Sequence, residues 1–247
     1  MTKWLPKQFS LKTLMLATAA LAVLLAVPRQ RSLRQQYALV YTRAEVASCA
    51  PPERESLISR LLFGNREGDR IIWLVFHGVA LTERQAALLT LFPSLRSVSL
   101  IECPKPKQTI SALYMARNDL RCLGIEHTRL SVCDLQPVAR FSNLEVLMLV
   151  RTGVSDEDLG PIRQLHQLRT LAILDAKVRG PGLVILQGLP SLQSIHLHHC
   201  PIDDQGLEYL SGIRTLRGLE LWSTKVTCEG VERLQREFPE CAIRFRP

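Results

Sequence analysis

The sequence predicts an α/β solenoid of about seven 24-residue units, each a strand followed by a helix, behind an N-terminal transmembrane or signal-anchor helix. Three observations predict it. Aliphatic residues recur at a spacing of 24 along most of the chain; each recurrence holds a strand period and then a helix period; and one apolar stretch near the start is uncharged.

The recurrence is clearest in four consecutive registers that begin at Leu144, Leu168, Leu192 and Leu216. In the first, Leu144, Leu147 and Leu149 are followed by Val154, Leu159, Ile162 and Leu165. The same slots hold Leu168, Leu171, Ile173, Val178, Leu183, Leu186 and Leu189, and then Leu192, Ile195, Leu197, Ile202, Leu207, Leu210 and Ile213. The fourth register holds Leu216, Leu219, Leu221, Val226, Val231 and Leu234, and only Glu237 departs from the pattern. Upstream, Leu120, Leu123, Ile125, Leu130, Leu135, Val138 and Phe141 fit, as do Ile71, Leu74, Phe76, Leu81, Ala86, Leu89 and Phe92. Between them, Leu95, Val98 and Leu100 open a slightly longer unit, with a single residue to spare before Leu120. Its middle, Cys103-Pro104-Lys105-Pro106-Lys107, predicts a looser turn.

Two periods inside one unit explain the architecture. The L-x-x-L-x-L part sets inward residues two apart, as on a strand, and the later trio at i, i+3, i+6 follows one face of a helix. A single unit cannot bury its own aliphatic stripe, so stability requires that neighbours stack and share a core. Helix-start residues agree with this register: Thr82 with Gln85, Ser155 with Asp158, and Asp203-Asp204 stand where caps belong.

Over residues 71 to about 245 the pattern L-x-x-L-x-L-x-x-(N/C)-x-L resembles the leucine-rich repeat proteins. The ninth slot reads Val79, Cys103, Thr128, Thr152, Ala176, Cys200 and Thr224. That Cys/Thr usage is similar to the ribonuclease-inhibitor and cysteine-containing classes, and closer still to short bacterial membrane-anchored leucine-rich repeat proteins. The resemblance implies a curved solenoid with a parallel sheet on its concave side, where a partner binds. It implies no catalytic residue, because the family shares no catalytic motif.

The apolar stretch runs from Thr13 to Val27, flanked by Lys3, Lys7 and Lys12 and by Arg29, Arg31 and Arg34. Fifteen residues of helix rise about 22 Å, short of a hydrocarbon core of about 30 Å. Counting from Phe9 gives about 28 Å, provided Lys12 lifts its ammonium to the interface. A cleaved signal peptide is the competing reading, but the exit Leu25-Ala26-Val27-Pro28-Arg29 lacks an Ala-x-Ala site, which favours a retained anchor. Three domains follow: residues 1–28 as the anchor, 29–70 as a juxtamembrane helix stopped by Pro51-Pro52 and an amphipathic capping helix from Glu53 to Phe63, and 71–247 as the repeats, with a closing strand in Phe238 to Phe245. The expected location is a single-pass membrane protein with its repeats outside the cytoplasm.

Of the net charge of +8, a surplus of +6 belongs to the N-terminal segment. Residues 1–70 hold 11 Lys/Arg against 5 Asp/Glu, and the rest hold 20 against 18, so the repeats lack the basic surplus that tracking nucleic acid requires. Seven widely spaced cysteines with no Cys-x-x-Cys pair predict neither a disulfide framework nor a zinc motif.

Projected onto the concave face, the strand residues form three columns. Their centre is apolar, and Val146, Met148, Val150 and Leu174, with His198 and Trp222 at the border, are the expected partner-binding anchors. His196 and His198 point the same way from one strand, with Glu220 beside them, which makes a metal-binding protein or a metal-dependent hydrolase the alternative. Their strand spacing of about 7 Å is wide for one shared ion, and a polar rim is preferred. Cys103 and Cys200 are expected to be buried, Cys122 to face outward as the better thiol, and Asp156, Glu157 and Asp158 to open a helix. No phosphate loop, nucleophile elbow or His-Glu-x-x-His motif occurs. The expectation is a protein-protein interaction module on a membrane tether, with an unknown protein partner, no cofactor, no nucleic acid and no small-molecule substrate.

Overall fold

A computed structural model describes residues 73–91, 95–131 and 133–247, all within the unit that runs to Pro247. The anticipated anchor, juxtamembrane helix and cap fall outside the described residues, as do Ile71 and Phe92 of the first repeat. Among the described residues no helix is long and apolar enough to cross a membrane.

Eight strands of five residues form one sheet: β1 (Trp73–His77), β2 (Ser97–Ile101), β3 (Cys122–Glu126), β4 (Val146–Val150), β5 (Thr170–Leu174), β6 (Ser194–His198), β7 (Gly218–Trp222) and β8 (Ala242–Arg246). They lie in sequence order and every pairing is parallel. The register advances by one constant repeat length, with Trp73 opposite Ser97 and Val146 opposite Thr170. Only the step from β2 to β3 is longer, by a single residue, and there Ser97 pairs with Cys122. Parallel neighbours need a crossover, and each unit supplies one on the outer side. The closing strand expected near the C-terminus is β8.

The aliphatic ladder is interior. Leu147, Leu171, Ile195 and Leu219 are register partners across β4 to β7, and each is fully buried. Leu149, Ile173, Leu197 and Leu221 form a second fully buried rung, and Ile162, Leu186 and Leu210 close the core from the outer side. Each such side chain contributes roughly 1.5–3 kcal/mol relative to an exposed one.

The outer segments differ from the expectation of one helix per unit. α-Helix occurs in α1 (Glu83–Ala87), α2 (Pro106–Ala116), α3 (Asp204–Glu208) and α4 (Cys228–Glu237). The three middle units tighten instead into 3-10 turns at Gln136–Arg140, Asp156–Gln164 and Pro181–Gly188. Proline explains one of these: Pro161 sits inside its segment with no N–H to donate. The looser turn expected around Pro104 and Pro106 is also corrected, because Pro106 takes the first position of α2, the longest helix described.

Side chains stitch consecutive units. Thr82 and Gln85 form a reciprocal cap, and the Ser155 amide donates to Asp158 at 2.8 Å. Asp156, expected to serve its own helix, reaches into the next unit and accepts from the amides of Arg179, Gly180 and Gly182 at 2.9–3.0 Å. Two units on, Asp204 repeats this, accepting from the Thr227 amide at 2.8 Å and its hydroxyl at 2.7 Å. Backbones touch where these links run: a Cβ on Gly206 would collide with the Arg179 carbonyl oxygen.

In some of the turns after the strands, the ninth slot adds to the stitching, at Cys103, Thr128 and Cys200, whereas the buried hydroxyls of Thr152 and Thr224 have no hydrogen-bond partner. The Cys103 amide donates to Thr128 Oγ1 at 2.9 Å, and that hydroxyl donates to the Glu126 carbonyl at 2.8 Å. Cys200 Sγ faces the carbonyls of His198 and Ile173, and burial pushes this thiol up to about 11. Just before that slot, the chain enters the left-handed region at Gly78, Glu102, His127, Arg151, Asp175, His199 and Ser223, with φ between 46° and 67°.

Candidate functional site

Alternation along the strands sends one set of side chains into the core and the other onto the opposite face of the sheet, the one expected to be concave. Parallel register then aligns the outward set into columns, so chemistry on the face is decided by residues one repeat apart. Of the expected anchors, Val146 and Val150 on β4, Leu174 on β5 and Trp222 on β7 are half-buried. Met148 and His198 are buried, at 3% and 5% exposure. Val150 pairs with Leu174, Leu174 with His198 and His198 with Trp222, so these four are consecutive members of one column.

That column passes into a polar cluster. Strand pairing sets His196 opposite Glu220 and Glu220 opposite Arg244. Nδ1 of His196 lies 2.9 Å from Oε2 of Glu220, and Arg244 donates to Oε1 at 2.8 Å. These two hydrogen bonds, that from His196 first, hold the Glu220 carboxyl down at about 2 against the cost of burial. An ionised carboxylate only accepts, so Nδ1 of His196 carries the shared proton.

His198 is held differently. Its ring stacks on Trp222 at 4.3 Å between centroids and 9° between planes, and Arg246 covers the indole at 5.2 Å. Burial lowers its basicity to about 4, with the neighbouring His196 adding to the effect, so the ring is neutral at physiological pH. Nε2 lies 3.6 Å from Glu220 Oε2, beyond a hydrogen bond, and has no hydrogen-bond partner. A buried polar atom left so costs about 1–3 kcal/mol. One ligand atom from each of His196, His198 and Glu220 lies within 4.8 Å of the others, closer than the strand spacing alone implies.

Several side chains on or near these columns were not singled out from sequence. Glu126, the seventh-slot residue of β3, is 1% exposed between Ile101 and Val150, and its Oε1 has no hydrogen-bond partner. Burial pushes its carboxyl up to about 8. The signal was a lone carboxylate between aliphatic register partners. Arg244 and Arg246 extend the columns onto β8, beyond Glu220 and Trp222. Cys122, expected to face outward, is buried at 2% exposure; Cys133 and Cys228 are the exposed thiols among the described residues. Cys122 occupies a strand slot enclosed by β2 and β4, whereas the other two lie in the outer segments.

No protein-family model matches the chain, and no curated protein matches it. Among the solved structures that do is an internalin (inlF) from Listeria monocytogenes, 18% identical, with a TM-score of 0.44 over 65% of this chain and 50% of that one. An internalin C2 (inlC2) from the same species is 18% identical, with a TM-score of 0.43 over 66% of this chain and 77% of that one. The chain thus covers half the length of the first.

Proposed function

We propose that this chain, a leucine-rich repeat protein by its recurring motif and its eight-stranded parallel solenoid, is a protein-interaction module that captures its partner on the concave face. The observation that carries the reading is the alignment of Val150, Leu174, His198 and Trp222 in one register column, with Val146 alongside and Arg246 over the indole. Half-buried Val146, Val150, Leu174 and Trp222 around buried Met148 and His198, ending in a Trp–Arg pair, have the composition of an interface anchor. Residues 9–27 tether the module to a membrane, with the repeats on the side away from the cytoplasm. The uncharged run from Thr13 to Val27 supports that tether.

Cross-linking in the native host, with recovery of the full chain and mass spectrometry, identifies the partner. Substituting Trp222→Ala lowers recovery at least about tenfold, equivalent to about 1.4 kcal/mol. Circular dichroism of the variant remains that of the wild type, since Trp222 is outside the core. Undiminished recovery from both Trp222→Ala and Val150→Asp overturns the concave-face reading.

A further inference from the structure

We propose that His196, His198 and Glu220 form a binding site for a zinc-type divalent transition-metal ion on the concave face. The inference does not depend on the identity of a protein partner. Three observations converge on it. The donor set is two imidazoles and one carboxylate, which suits zinc and its neighbours and leaves a coordination position for water or another ligand. Two of the three donor distances fit: bonds of about 2.0–2.1 Å in tetrahedral geometry set donors about 3.3 Å apart, and His196 Nδ1 and His198 Nε2 lie 2.9 and 3.6 Å from Glu220 Oε2, while the two imidazole nitrogens, within 4.8 Å of each other, draw together on binding. Finally, His198 Nε2 is buried without a hydrogen-bond partner, aimed at the carboxylate from a ring held by stacking on Trp222.

The surroundings are those of a supported site. Arg244 engages Oε1 and leaves Oε2 directed at the two rings, the arrangement in which an outer hydrogen bond orients a ligating carboxylate. β6 supplies both imidazoles two residues apart and β7 supplies the acid from the register position facing His196, so the sheet itself sets the geometry. Metal binding replaces the proton between His196 and Glu220, and that proton passes to the other ring nitrogen or to solvent.

The test is a zinc titration of the purified full chain in detergent, against a chromophoric chelator, with the cobalt(II) absorption spectrum as a second readout. The expected result is one ion per chain, with affinity at least tenfold weaker in Glu220→Gln and in His198→Ala and unchanged in His166→Ala. Cobalt then gives the visible bands of a four-coordinate centre, and these vanish in Glu220→Gln. Equal affinity in wild type and Glu220→Gln overturns the proposal, as does binding that disappears on replacing Cys133 and Cys228 with serine. Glu220→Gln keeps the shape of the side chain, so it decides the matter even if His198→Ala fails to fold.

Discussion

Glu126 and the His198–Glu220 pair draw the stability of the fold in opposite directions along the pH axis. The Glu126 carboxyl titrates near 8 in the folded chain and near 4.5 when exposed, so the folded state holds the extra proton between those values. Its contribution is therefore complete below about pH 4.5 and is lost as pH rises through about 8. His198, lowered to about 4, and Glu220, lowered to about 2, act the other way. The stability from His198 is present above about 6.5 and lost as pH falls through about 4; that from Glu220 is present above about 4.5 and lost as pH falls through about 2. Urea unfolding should show this directly. Between pH 5 and pH 8 wild type loses at least about 1 kcal/mol relative to Glu126→Gln, which has no proton to lose at that site and, keeping His198, gains stability over the lower part of the interval. A wild-type profile parallel to the variant's would mean that the carboxylate is solvated. Such buried titrating groups were hard to read from sequence, because a Glu in an outward strand slot is ordinarily wet. Its burial depends on neighbours one unit away on either side.

At the level of the element, strands were legible and outer segments only partly so. A strand declares itself through alternation, and each unit's strand alternates between core and concave face. The outer segments obey a looser constraint: three apolar contacts must reach the core, and α or 3-10 geometry can each deliver them. In one middle unit Pro161, inside its segment, disfavours the α form. The inter-unit links were missed for a related reason. Asp156 and Asp204 look like caps of their own segments, and only the three-dimensional offset of one unit shows their carboxylates on the amides of the next. Gly206 sits where that offset brings backbones into contact. Substituting Gly206→Ala forces the Arg179 carbonyl away and is expected to cost about 1–3 kcal/mol in chemical unfolding, the range for overpacking a fitted site. A loss below about 0.5 kcal/mol would show that the two segments separate easily.

For the molecule as a whole, the repeat length decided almost everything that was readable. The expected rung of Leu147, Leu171, Ile195 and Leu219 is present and dry, because a fixed increment from strand to strand leaves no other way to bury it. The concave cluster was legible as columns but not as contacts, since ring orientation and the arrival of Arg244 from β8 depend on side-chain packing. The tether proposed for residues 9–27 has a whole-chain consequence. Intact protein should stay with host membranes through alkaline carbonate extraction, and a chain starting at residue 29 should be released. Release of the intact chain would refute anchoring. Finally, the lengthened step from β2 to β3 does not shift the ladder, the surplus being absorbed in the outer arc that holds α2. Length variation in this scaffold is thus silent when it falls on the outside of the coil. A cassette of one whole repeat duplicated in phase would lengthen the superhelix by one turn and leave both flanks in tune, whereas a one-residue slip within any strand would turn its greasy side outward.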